Sequence, residues 1–165
     1  MDTTTDILAN SVLDTCQRLG FMLTTAESCT GGLVSAALTA IPGSSSVVER
    51  GFVTYTNEAK QEMLGVPGSL FETVGAVSED VARAMAEGAL THSRAQVSVS
   101  VTGIAGPGGG TNDKPVGLVH MAASKLDGET LHERHIFSGD RTAVRSQAVN
   151  AALSLVLKVL EDQMS

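Results

Sequence analysis

The chain has 165 residues, 42% apolar and 18% charged, with a formal net charge of −7. That suits one globular domain, which at this size buries roughly 70% of its unfolded surface and needs neither disulfides nor a structural metal. The acidic balance argues against nucleic-acid or anionic-membrane partners, and no stretch approaches the roughly 20 apolar residues of a membrane span.

Cys16 and Cys29 fit neither a disulfide scaffold nor a zinc spacing. Residues 1–6 are polar and acidic, unlike a signal peptide, so a cytoplasmic location is expected.

Thr4 and Thr5 are candidate caps for a first helix. Its apolar face carries Ile7, Leu8, Val12, Leu13, Cys16 and Leu19, and Gly20 stops it. Residues 21–26 read as a buried strand, 27–32 as a loop, and 33–41 as a helix ended by Pro42-Gly43. Alternation predicts a strand over 47–56, followed by a short helix over 57–64, a turn at Pro67-Gly68 and a helical turn over 69–74. Ser78, then Glu79 and Asp80, is a helix start, a hydroxyl cap followed by acids that suit the dipole. That helix runs to about residue 94, with Val81, Met85, Ala89 and Leu90 inward.

Val97, Val99 and Val101 alternate with Ser98 and Ser100, as in a central strand covered on both faces. A Gly-rich loop fills 103–114, and residues 115–125 and 129–137 form a hairpin across Leu126-Asp127-Gly128. Helical spacing of Val144, Ala148, Val149, Ala152, Leu153, Val156 and Leu160 predicts a last helix over 142–160. There is no repeat and no linker. The expected architecture is a single α/β domain over 1–165, a layered α/β/α fold with a mixed sheet flanked by helices.

Three loops can carry chemistry. Glu27-Ser28-Cys29-Thr30-Gly31-Gly32 joins a strand to a helix, where α/β folds bind ligands and where helix N–H groups are expected to be free. Ser28 reads there as nucleophile or as helix cap, and local sequence leaves both open. Cys29 reads as a nucleophile or a small buried residue. Further on, Tyr55, Asn57 and Lys60 follow a strand. Lys60 can act as a base only if burial or nearby positive charge lowers its pKa, and Tyr55 could orient it or relay a proton. A half-buried tyrosine and a solvated lysine are the plainer reading of that segment alone. Thr102-Gly103-Ile104-Ala105-Gly106-Pro107 is a candidate substrate-binding loop or a flexible connector. It fails the dinucleotide fingerprint, because Thr111 stands where the third glycine belongs, and no Gly-Lys-Ser/Thr closes a phosphate loop. His132 and His135 are three apart on a strand and face opposite ways, so no metal site is expected.

The ordered set of segments resembles a known family. It comprises Thr25-Ala26-Glu27-Ser28-Cys29-Thr30-Gly31-Gly32, the run from Arg50 to Lys60 after Gly43-Ser44-Ser45, Gly75-Ala76-Val77-Ser78, Thr102 to Pro107, Lys114-Pro115-Val116-Gly117, and Phe137-Ser138-Gly139-Asp140-Arg141 with Arg145. Together these are similar to the C-terminal domain of the competence/damage-inducible CinA proteins, whose stand-alone form is a nicotinamide-nucleotide amidohydrolase. The resemblance implies hydrolysis of the carboxamide of nicotinamide mononucleotide to nicotinic acid mononucleotide and ammonia, in pyridine-nucleotide salvage. It implies no cofactor and no metal. Ser28 matches the family's nucleophile, and Tyr55 and Lys60 match the pair that activates it.

Amides around Thr30, Gly31 and Gly32 are then candidate oxyanion donors, and Asn57 a candidate substrate contact. Thr102, Gly103, Ala105 and Gly106, with Arg141 or Arg145, are candidates for holding the nucleotide phosphate. The competing reading is a non-catalytic nucleotide-sensing module. The expected partner is a small-molecule nucleotide, and a homodimer is a further expectation.

Overall fold

A computed structural model describes residues 2–161; residue 1 and residues 162–165 of the expected domain lie outside the described residues. Helix α1 (Thr3–Leu19) begins on Asp2, whose carboxylate accepts the Thr5 N–H at 2.8 Å, and not on Thr4 or Thr5. A carboxylate in this position satisfies an orphan amide and also complements the helix dipole, so it outcompetes the hydroxyls.

There follow β1 (Leu23–Glu27), α2 (Leu33–Thr39), a 3₁₀ turn at Ser44–Ser46, β2 (Val48–Val53), α3 (Asn57–Leu64), α4 (Ser69–Thr73) and α5 (Glu79–Thr91). The chain continues through β3 (Val97–Gly103), β4 (Leu118–Lys125), β5 (Thr130–Ile136) and α6 (Arg141–Val159). The hairpin forms as expected, but β4 starts only at Leu118, because Gly117 turns the chain at φ 95°. No described helix is long and apolar enough to cross a membrane.

The five strands lie in the order β2-β1-β3-β4-β5. β1 is parallel to both neighbours, whereas β4 and β5 run antiparallel, so the sheet is mixed. Period-2 alternation sorts the layers. Leu23, Val97, Val99, Val101, Val119, Met121 and Ala123 face α1, α2 and α6 in the larger core. Ala26 and Phe52 face α3 and α5 in a smaller one, with Leu64, Val81, Met85 and Ala89.

Ser98 and Ser100 use their hydroxyls to bond carbonyls of α5, those of Ala86 and Ala82, at 2.6 Å. These small residues let the helix lie close to the sheet without an unpaired polar group.

The chain leaves β1 toward β2 on one side and later returns to β3 on the other. Crossovers in opposite directions put their helices on opposite faces, which is why α2 and α5 sandwich the sheet. At the carboxyl ends of β1 and β3, where the strand order reverses, a crevice opens.

Candidate active site

Four segments meet at that crevice. The turn after β1 brings Ser28 and Cys29, the segment after β2 with α3 brings Tyr55, Asn57 and Lys60, the end of β3 and the loop after it bring Thr102 to Gly106, and the start of α6 brings Arg141. They line a cavity of about 290 Å³ together with Ala76, Val77, Gly108 and Gly109.

Glu27 and Ser28 are consecutive, so at the strand's end they face opposite sides of the sheet. Ser28 is held there by its N–H, which donates to the Val101 carbonyl of β3 at 3.0 Å. Its hydroxyl meets Lys60, whose Nζ lies 3.0 Å from Ser28 Oγ.

Lys60 sits on α3, capped by the Thr56 hydroxyl, which accepts the Ala59 N–H, and ended by Gly65 at φ 69°. It is only 1% exposed. Its other partners are carbonyl oxygens, Thr54 at 2.7 Å and, at longer range, Thr56 at 3.5 Å. Burial lowers its pKa from 10.5 to about 8, against a smaller opposing effect of Cys29. The solvated-lysine reading therefore fails. A neutral amine keeps two N–H groups for the two carbonyls and turns its lone pair to Ser28, the arrangement of a general base.

Cys29, 5% exposed, has its thiol pushed up by burial to about 11. It is a buried thiol at neutral pH and no nucleophile.

Tyr55 lines the same cavity, but its hydroxyl accepts from Arg141 Nη2 at 2.9 Å and makes no bond to Ser28 or Lys60. Arg141 Nη1 donates to the Gly106 carbonyl at 2.7 Å, which ties α6 to the Gly-rich loop. The guanidinium has five donors, so three remain for a ligand. Thr102, Gly103, Ala105 and Gly106 all reach the cavity wall. The Thr102 hydroxyl itself donates to Ala76 O at 2.9 Å, which docks the loop before α5 against β3.

Four candidates stand elsewhere. Thr30, Gly31, Gly32 and Arg145 are not part of the cavity wall. The Gly31 N–H donates to Ser28 O at 2.9 Å, and the Gly32 N–H to Glu27 Oε1 at 3.2 Å, so neither amide is open to an oxyanion. Thr30 is fully buried, its hydroxyl on Glu27 Oε1 at 2.6 Å. Arg145 points at backbone, to Cys29 O and Thr30 O.

The start of α2 is not free either: Glu27 accepts the Val34 and Ser35 N–H groups at 2.9 and 3.0 Å. Sequence reasoning missed this, because an acid at a strand end ordinarily reads as a solvated charge. The amide next to the nucleophile, that of Cys29, has no backbone acceptor among the described residues.

Residues 5–160 match the CinA C-terminal domain family. The chain is 51% identical over 146 residues to the protein named nicotinamide-nucleotide amidohydrolase PncC in Escherichia coli (strain K12), covering 88% of each chain. A protein of the same name in Enterobacter agglomerans is 52% identical, with 84% of this chain and 85% of that protein covered. A CinA-like protein of Parasynechococcus marenigrum is 53% identical over 92% of this chain, yet the chain spans only 36% of that relative's length. The crystal structure of a competence/damage inducible protein from Agrobacterium tumefaciens superposes with a TM-score of 0.96 at 49% identity, covering 98% of both chains.

Proposed function

The chain belongs to the CinA C-terminal domain family, and on that premise we propose that it hydrolyses the carboxamide of nicotinamide mononucleotide, giving nicotinic acid mononucleotide and ammonia. The observation that carries the chemistry is the 3.0 Å contact between Ser28 Oγ and the buried amine of Lys60. Support for the substrate comes from the relatives of similar length, which bear the name nicotinamide-nucleotide amidohydrolase.

With a pKa of about 8, roughly one Lys60 in ten is neutral at pH 7. That amine takes the Ser28 proton directly while Ser28 Oγ adds to the carboxamide carbon. We assign the oxyanion to the Cys29 N–H, which is adjacent to the nucleophile and has no backbone acceptor among the described residues; one such donor is worth about 3 kcal/mol. Protonated Lys60 then gives its proton to the departing nitrogen, ammonia leaves, and Ser28 carries the acyl group as an ester. Water enters along the same path, loses a proton to Lys60, and releases the carboxylate as the proton returns to Ser28. Every proton taken is given back, so one turnover consumes one water.

Arg141, in the wall of the same cavity and bonded to neither Ser28 nor Lys60, is assigned to the anionic end of the nucleotide through its spare donors. The reaction belongs, on this proposal, to the cytoplasm.

The test is ammonia release from nicotinamide mononucleotide by the purified protein without added metal. Ser28→Ala must abolish it. Thermal stabilisation by the nucleotide without turnover over hours would favour the non-catalytic module instead.

A further inference from the structure

The mechanism uses the hydroxyl of Ser28 and the amide of Cys29 but leaves two buried or half-buried charged groups behind them unassigned. Glu27 is 1% exposed and meets four donors: the Thr30 hydroxyl and the N–H groups of Gly32, Val34 and Ser35, at 2.6 to 3.2 Å. All four donate, so a carboxylate satisfies them, whereas an amide in its place would set a donor against donors. On the other side of the same turn, Arg145 reaches from α6 to the carbonyls of Cys29 at 3.1 Å and Thr30 at 3.2 Å. The turn is thus held through the Thr30 hydroxyl and the Gly32 N–H by Glu27, which also fastens the start of α2, and through two of its carbonyls by Arg145. Charge-assisted bonds of this kind are roughly twice as strong as neutral ones.

We infer that Glu27 and Arg145 are positioning residues, a clamp that fixes the turn from Ser28 to Gly32 so that the nucleophile and the Cys29 N–H act on the same carbonyl. Arg145 thereby has a task other than phosphate binding. The geometry supports this in two ways. Both Arg145 contacts end on carbonyls whose peptide planes carry the N–H groups of Thr30 and Gly31, so the clamp sets the tilt of the turn. In addition, Gly31 sits at φ 58° with its missing Cβ position 3.3 Å from Arg145 Nη2, so the arginine packs against a turn that has no side chain there. Neither group touches the cavity, so substrate affinity is not their concern.

The inference rests on the reading of Ser28 as nucleophile, and its test separates the two. Glu27→Gln, Arg145→Ala and Arg145→Lys are compared with the intact protein in two assays: ammonia release from nicotinamide mononucleotide, and the rate at which a fluorophosphonate probe labels Ser28, per folded molecule by thermal melt. The expected result is a fall in kcat and in labelling rate of about 100-fold for Glu27→Gln and Arg145→Ala, the size of effect that an ångström of misplacement brings. KM stays within about twofold, because ground-state binding is untouched. Arg145→Lys recovers part of the loss. Folded variants that label at the full rate overturn the clamp, as does a loss confined to KM. Should Glu27→Gln fail to fold, the half-exposed Arg145 pair decides. An intact protein that labels at Ser28 but releases no ammonia contradicts the substrate and leaves the clamp supported by the labelling rates alone.

Discussion

Glu27 and Ser28 are neighbours in sequence and belong to opposite faces of the sheet. The carboxylate of Glu27 closes the start of α2 at Val34 and Ser35, while the hydroxyl of Ser28 meets Lys60 of α3. A one-residue slip of β1 would exchange them, placing an acid beside the buried lysine. The register of β1 against β3, with Glu27 opposite Val101, is therefore part of the catalytic arrangement.

Tyr55→Phe separates direct from relayed proton transfer. Its hydroxyl contacts Arg141 and neither member of the Ser28–Lys60 pair. Ammonia release by Tyr55→Phe is expected to fall by less than about tenfold, the value of one hydrogen bond. A proton relay through the phenol would show as a loss of about 100-fold or more in kcat.

Arg141→Ala is expected to act on binding. Removing a cation that lines the cavity and has donors to spare should raise KM by about 10- to 100-fold, the equivalent of one or two charge-assisted bonds, with kcat changed much less. Steady-state kinetics on the nucleotide check this. The corresponding nucleoside, which lacks the phosphate, should be affected far less by the substitution.

Lys60 leaves a signature in stability as well as activity. Its folded-state pKa, about 8, lies below its ordinary 10.5, so the unfolded chain binds the proton more tightly. The full penalty, about 3 kcal/mol, applies below pH 8 and is released as pH rises from 8 to 10.5. Relative to the wild type, Lys60→Met should therefore look most stable near pH 7 and lose that relative advantage toward pH 10. Urea denaturation at three pH values measures it, and a pH-independent difference would contradict the burial account.

The histidines give an acid limb. His120 Nδ1 lies 2.9 Å from His132 Nε2 with the rings stacked, and Glu79 stands 3.7 Å from the other nitrogen of His132. Burial first, then the charge of His132, lowers His120 from 6.5 to about 4. The unfolded chain takes up a proton that the folded one resists, so stability should fall as pH drops from 6.5 to 4 and level off below. In His120→Gln, melting temperatures over that window should fall less steeply.

Much of this was legible in the sequence where a local rule had no competitor. Helix α3 runs from Asn57 to Leu64 as expected, because Thr56 caps it and Gly65 stops it. The serines of β3 announced a strand covered on both sides, and they bond α5. Other features depended on tertiary register. Nothing local told His120 that it would stack on His132 twelve residues away, since that needs the β4–β5 pairing of Ala122 with His132. Lys60 reads as solvated in its local sequence and is buried because α3 packs against the sheet through Leu64. The glycines after Ser28 looked like an anion cradle, and Glu27, one residue earlier, already fills it.

Lys60 is the base that takes the Ser28 proton in the proposed reaction, and the acid limb of the rate belongs to it. The pH dependence of kcat/KM for ammonia release from nicotinamide mononucleotide reports the free enzyme's essential groups. A base with its pKa lowered to about 8 predicts a tenfold rise per pH unit up to that value, followed by a plateau. A rate that is flat between pH 6 and 9 would contradict it.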